Sequence, residues 1–64
     1  MKKISLKAAR VNAGFPQKSA ANVLGISNKT LCSWENQKTF PDQPMIEKIC
    51  LLYGVTYDMI DFTA

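Results

Sequence analysis

Backbone breakers recur along this chain at short intervals, and their spacing limits its architecture more than any other feature. Gly14, the Phe15-Pro16 pair, Gly25, the Phe40-Pro41-Asp42 cluster and Gly54 divide the sequence into pieces of about 9–16 residues. Pieces of that length suit helices of two to three turns and are too short for strand-plus-crossover units. With 64 residues there is room for one core and one domain, residues 1–64, because a second core needs roughly another hundred residues. The composition, 47% hydrophobic, is that of a chain that folds.

The pieces carry helix punctuation. Ser5 is suited to N-capping and opens a segment to Ala13 with Leu6, Ala9, Arg10 and Ala13 at helical spacing, followed by Gly14 as a stop. A second helix is predicted from Gln17 to Leu24, after Pro16 and before Gly25, with Ala20, Ala21 and Leu24 inward. Ser27 caps a third, running to Asn36. At about 100° per residue, Ser27, Leu31, Trp34, Glu35 and Lys38 share its inner line, while Lys29, Ser33 and Asn36 lie opposite. The phase of Trp34 beside Leu31 makes it core rather than a base-stacking group. Asp42 caps a fourth helix with Pro44 in its first turn, burying Met45, Ile46, Ile49, Cys50 and Leu52 and ending at Gly54. Thr56 caps a short fifth helix, Tyr57 to Asp61, which returns Met59, Ile60 and Phe62 to the core. The expectation is an all-α domain of five short helices.

Several chemistries lack their residues. There is no His, and two cysteines, Cys32 and Cys50, cannot make a zinc site that needs about four ligands, so no metal is expected. Both read as reduced thiols, one at a helix surface and one packed as a small apolar residue. Without a Cys–His couple or a phosphate-binding Gly-rich loop, the usual general bases and nucleophiles are missing, which argues against an enzyme, a cofactor or a small-molecule ligand. No apolar run approaches the roughly 18 residues of a membrane span, and the start of the chain lacks a signal-peptide core, so a cytoplasmic protein is expected.

The net charge of +3 is unevenly placed. Residues 1–34 hold Lys2, Lys3, Lys7, Arg10, Lys18 and Lys29 with no acid; residues 35–64 hold Glu35, Asp42, Glu47, Asp58 and Asp61 against Lys38 and Lys48. A domain polarised in this way suits a polyanion on one face, without distinguishing DNA from RNA or an acidic protein. The connection Leu24-Gly25-Ile26-Ser27 is more specific. Gly25 permits positive φ, Ser27 satisfies the first free amides of the next helix, and Ala21 is small enough for the two helices to cross closely. This is the helix-turn-helix pattern, in which the second helix enters the DNA major groove.

The string Gln17-Lys18-Ser19-Ala20-Ala21-Asn22-Val23-Leu24-Gly25-Ile26-Ser27-Asn28-Lys29-Thr30-Leu31-Cys32-Ser33-Trp34-Glu35-Asn36 resembles the phage repressor/Cro type of helix-turn-helix domain, the Xre family. The likeness extends from Leu6-Lys7-Ala8-Ala9-Arg10 through Lys38 and Pro41 to Gly54-Val55-Thr56-Tyr57-Asp58-Met59-Ile60, most of the chain. It implies a five-helix, lambda-repressor-like fold that binds operator DNA as a two-fold homodimer and regulates transcription. Two positions depart from the family pattern. Gln37 stands where Gly is common, so the third helix either ends without the usual left-handed cap or runs on; Pro16 stands where a hydroxyl or amide cap is usual.

On this reading Asn28, Lys29, Thr30 and Ser33 contact bases: Lys29 donating to guanine O6 or N7, Asn28 pairing with adenine, Thr30 bonding a base or touching a thymine methyl. Cys32, at the edge of that face, packs. Gln17 begins the second helix at the phosphate backbone, and Lys18, Ser27, Asn36, Lys38 and Thr39 add phosphate contacts, with Lys7 as unspecific charge. The resemblance implies an ion pair between Arg10 and Glu35 across the first and third helices, against the alternative of Arg10 at DNA. The chain ends just after the fifth helix, which suggests a Cro-like single-domain form whose dimer contacts come from Tyr53, Val55, Tyr57 and Phe62, with half-sites about 34 Å apart. The rival function is a protein-interaction module such as an antitoxin or antirepressor, which an acidic or apolar third helix would favour and this chain lacks.

Overall fold

Three oxygen-bearing side chains start three of the helices. In a computed structural model that describes residues 3–62, Ser5 Oγ accepts from the Ala8 amide at 3.1 Å, Ser27 Oγ from Thr30 at 3.1 Å, and Asp42 Oδ1 from Met45 at 3.1 Å. Each cap satisfies an amide that its helix cannot, and is worth about 1 kcal/mol. They open α1 (Leu6–Asn12), α3 (Asn28–Glu35) and α4 (Gln43–Tyr53). The remaining helix, α2 (Gln17–Leu24), follows Pro16, whose φ of −62° suits a helix entry but which supplies no side-chain cap.

The segment after α4 is not a fifth α-helix. Gly54 ends α4, and a single 3-10 turn (Tyr57–Met59) then gives way to a strand, β2 (Ile60–Asp61). That strand pairs in parallel with β1 (Ile4–Ser5), placing Ile4 opposite Ile60 and Ser5 opposite Asp61. The reason lies in end effects: a helix of five residues leaves nearly all its backbone groups unpaired, whereas an extended Ile60 finds partners on β1. The strand also buries Ile60 to 2% exposure, while Met59, expected inside, stays exposed and Phe62 is half-buried.

The core is formed by Leu6 and Ala9 of α1, Ala20, Ala21 and Leu24 of α2, Leu31 of α3, Ile49 and Tyr53 of α4, and Ile60. Phe15, Ile26, Trp34, Met45, Leu52 and Val55 pack around it. Two adjacent alanines on α2 let that helix lie close to its neighbours, since a methyl group is all that separates backbones there. Met45 and Leu52 of α4 join this packing; Ile46 and Cys50, also expected inside, lie half-buried along an outer groove instead.

Candidate nucleic-acid interface

The turn between α2 and α3 sets the geometry. Gly25 takes the left-handed conformation (φ 75°, ψ 28°), and the Ile26 amide reaches back to the Ala21 carbonyl at 3.0 Å, closing α2 within one residue. Ser27 then caps α3, and its Oγ lies 2.9 Å from Thr30 Oγ1. The hydroxyls of Ser27 and Thr30 are therefore joined. Between the two helices runs an open notch lined by Lys18, Ser19, Asn22 and Asn28, floored by Ala21 and Ile26.

The outer side of α3 is polar and free of exposed acid. Asn28 and Lys29 are exposed in its first turn, and Thr30, Cys32 and Ser33 are half-buried. Lys18 on α2 and Asn36, Lys38 and Thr39 beyond α3 are also exposed. The acid in α3 is turned inward. Arg10 Nε donates to Glu35 Oε2 at 2.7 Å and Nη2 to Oε1 at 3.4 Å, with the two side chains only 9% and 5% exposed. Arg10 Nη1 donates to the Phe15 carbonyl at 2.8 Å, and Gln17 Nε2 donates to Glu35 Oε1 at 3.2 Å. The carboxylate thus has three donor atoms from two elements, the condition under which a buried pair is tolerated. Its charge is neutralised at the back of the helix whose front carries Lys29.

Sequence reasoning placed Gln17, Arg10 and Glu35 in the right elements but did not foresee that the Gln17 amide joins the ion pair. Nor did it foresee that Asn36 Nδ2 donates to Cys32 Sγ at 3.3 Å. The first depends on how α2 packs against α3; the second joins residues four apart, which spacing puts on one face, and depends on the rotamer each takes. At the C-terminal end of α3 a third outcome replaces the two expected. The left-handed stop is kept, with Gln37 itself adopting φ 57°. The Gln37 amide donates to Trp34 O at 3.2 Å and the Lys38 amide to Ser33 O at 2.9 Å, the bond pattern a glycine usually provides.

The side chains assigned to dimer contacts fall into two groups. Tyr53 is core: it is 6% exposed and its ring lies 6.2 Å from that of Phe15. Tyr57 is exposed and stacks on half-buried Phe62 at 5.9 Å, with Val55 half-buried nearby in the chain. Beside Tyr57, a groove runs along α4, lined by Gln43, Ile46, Glu47, Cys50 and Leu51. Leu51 is 85% exposed. Its sequence signal was the unbroken apolar run Ile49-Cys50-Leu51-Leu52-Tyr53, too wide for one face of a helix.

Known proteins of related sequence can be set against this geometry. Residues 6–60 match the helix-turn-helix family profile. Over 55 residues, 86% of this chain, the sequence is 40% identical to the HTH-type transcriptional regulator ImmR of Bacillus subtilis (strain 168). Those residues make up 43% of that relative, so the chain spans less than half its length. No solved structure matches to the same standard. From the first residue of α1 to the first residue of β2, the chain belongs to the helix-turn-helix family, in its Xre-like form.

Proposed function

We propose that the domain binds duplex DNA sequence-specifically and regulates transcription, with α3 in the major groove and a second copy on the other half of a pseudo-palindromic operator. One observation carries this reading: α3 presents Asn28, Lys29 and Ser33 outward while its acid, Glu35, is locked to Arg10 behind them. A polyanion meets donors and no exposed carboxylate. The resemblance to a relative named as a transcriptional regulator supports the same direction.

Within this reading Asn28, Lys29, Thr30 and Ser33 contact bases, and Gln17, Lys18, Ser27, Asn36, Lys38 and Thr39 contact the backbone. The Ser27–Thr30 hydroxyl pair leaves both oxygens with bonding capacity to spare, so Thr30 can bond a base as well as bring its methyl against a thymine. Pairing of copies uses Val55, Tyr57 and Phe62 with the neighbouring Leu51; Tyr53 supports that surface from inside. A cytoplasmic site of action and the absence of catalysis follow from this role.

Selection of bound duplexes from a random pool tests the reading, and failure to enrich a palindrome at moderate salt refutes it. On the selected site, Lys29→Ala is expected to cost roughly 1–3 kcal/mol and to relax preference at one base position. Lys38→Ala is expected to weaken all sequences alike. The protein-interaction alternative has the α4 groove in its favour, and it gains ground if no duplex is enriched.

A further inference from the structure

Gln37 is the one residue other than glycine with positive φ among the described residues. The left-handed conformation crowds a Cβ against the backbone, so a glycine would make this turn at lower free energy. Such strain persists where surrounding bonds over-determine it, and it concentrates at functional sites. Two of the bonds here, from the amides of Gln37 and Lys38 to Trp34 O and Ser33 O, are backbone bonds that glycine would also allow. A third belongs to the side chain: Gln37 Nε2 donates to the Glu35 carbonyl at 3.0 Å.

That third bond ends a connected series. Arg10 holds the Glu35 carboxylate, the same carboxylate takes the Gln17 amide at the start of α2, and the Glu35 carbonyl takes the Gln37 amide at the end of α3. The two stretches assigned to the DNA backbone, Gln17 and residues 36–39, are therefore tied to one residue from opposite sides. Exposed loops that bind must lose conformational freedom on binding, and a bond that fixes the loop beforehand lowers that cost.

We propose that Gln37 is a positioning residue for DNA-backbone contact: its side-chain amide, bonded to the Glu35 carbonyl, holds the left-handed turn so that Asn36 and Lys38 meet phosphates already ordered. The inference rests on the reading of residues 36–39 as phosphate-contacting. It predicts that glycine at this position would stabilise the fold and weaken the complex.

The test compares Gln37→Gly, Gln37→Met, Lys38→Ala and the Gln37→Gly/Lys38→Ala double variant in the full chain. The probe is a mixed-sequence duplex about two helical turns long, titrated over a salt series, with denaturant midpoints measured in parallel. Gln37→Gly relieves the strain and is expected to be at least as stable as the parent, whereas Gln37→Met keeps the strain, loses the bond and is less stable. Both are expected to bind roughly three- to tenfold more weakly. A merely structural role would make affinity follow stability, in opposite directions for the two variants. Lys38→Ala is expected to lower the salt slope by about one, and the double variant to lose less than the product of its single effects. Parental affinity in both Gln37 variants while Lys38→Ala weakens binding overturns the inference alone. An unchanged slope and affinity for Lys38→Ala overturns the phosphate reading of the loop, and the inference falls with it.

Discussion

Arg10 and Glu35 form a nearly buried ion pair, 2.7 Å between Nε and Oε2, whose two halves depend on each other. An arginine 8% exposed keeps its charge because Glu35 and the Phe15 carbonyl take its N–H groups, and losing the carboxylate would leave that charge buried and unpaired. Glu35→Ala is expected to cost about 3–5 kcal/mol, a large share of the total for so small a domain, and urea denaturation would measure it. Replacing both partners, as Arg10→Met with Glu35→Leu, is expected to restore much of the loss; if the double variant is as unstable as the single, the cost comes from packing. Tyr53 sits close by and is the opposite case. Its hydroxyl is buried without a hydrogen-bond partner among the described residues, and burial, reinforced by the Glu35 carboxylate and partly offset by Arg10, pushes its pKa from 10.0 up to about 12. The unfolded chain ionises first, so stability should be unaffected by this group below pH 10 and fall as pH rises from 10 towards 12. Tyr53→Phe removes an unsatisfied group and is expected to gain about 1 kcal/mol near neutral pH and to abolish that alkaline loss. A destabilised Tyr53→Phe variant would mean that the hydroxyl has a partner.

At the scale of elements, what could be read from sequence is what is decided locally. The limits of α2 and α4 and the start of α3 follow from Pro16, Ser27, Asp42, Gly25 and Gly54, because caps and left-handed stops act within a few residues. The outward phase of Lys29 follows from its distance to Leu31 in the same helix. Residues 57–61 could not be read in this way. Tyr57 and Ile60 fit a helical turn as well as an extended pair fits Ile60 and Asp61, and the choice is made by Ile4, from the other end of the chain. The bond of Gln17 to Glu35 was illegible for the same reason, since tertiary packing brings the two together, whereas that of Asn36 to Cys32 is four residues apart and turns on the rotamer alone. Local signals can be tested one at a time. Ser27→Ala removes the acceptor for the Thr30 amide and is expected to lower stability by about 1 kcal/mol. Ser5→Ala, at the equivalent position of α1, should lose a similar amount, but only Ser27→Ala should also weaken DNA binding. A DNA-binding defect in Ser5→Ala that matched its partner's would show that stability alone limits the complex.

The dimensions of the whole molecule bear on the proposal that two copies share an operator. Its extents are 31 × 23 × 20 Å, while equivalent stretches of major groove on one side of duplex DNA recur about every 34 Å. On the proposed reading a single copy places one α3 in one groove, and a second copy would be set beside it by an interface away from α3. The acid-free part of the sequence ends at Trp34, so α2 and α3 lie mainly in the basic half, and the groove along α4 lies in the acidic half, with Leu51 and Tyr57 exposed beside Glu47. The proposed self-pairing at that groove would leave both copies' basic surfaces free for phosphates. Leu51→Glu places a charge where two copies would bury an apolar side chain, without disturbing the core, because Leu51 is 85% exposed in the monomer. The expected outcome is a monomer by sedimentation with parental thermal stability, half-site affinity unchanged, and binding to a two-half-site duplex weakened by more than tenfold as the cooperative contribution is lost. If Leu51→Glu still binds the palindrome cooperatively, the copies meet through another surface, and the α4 groove is left for a different protein.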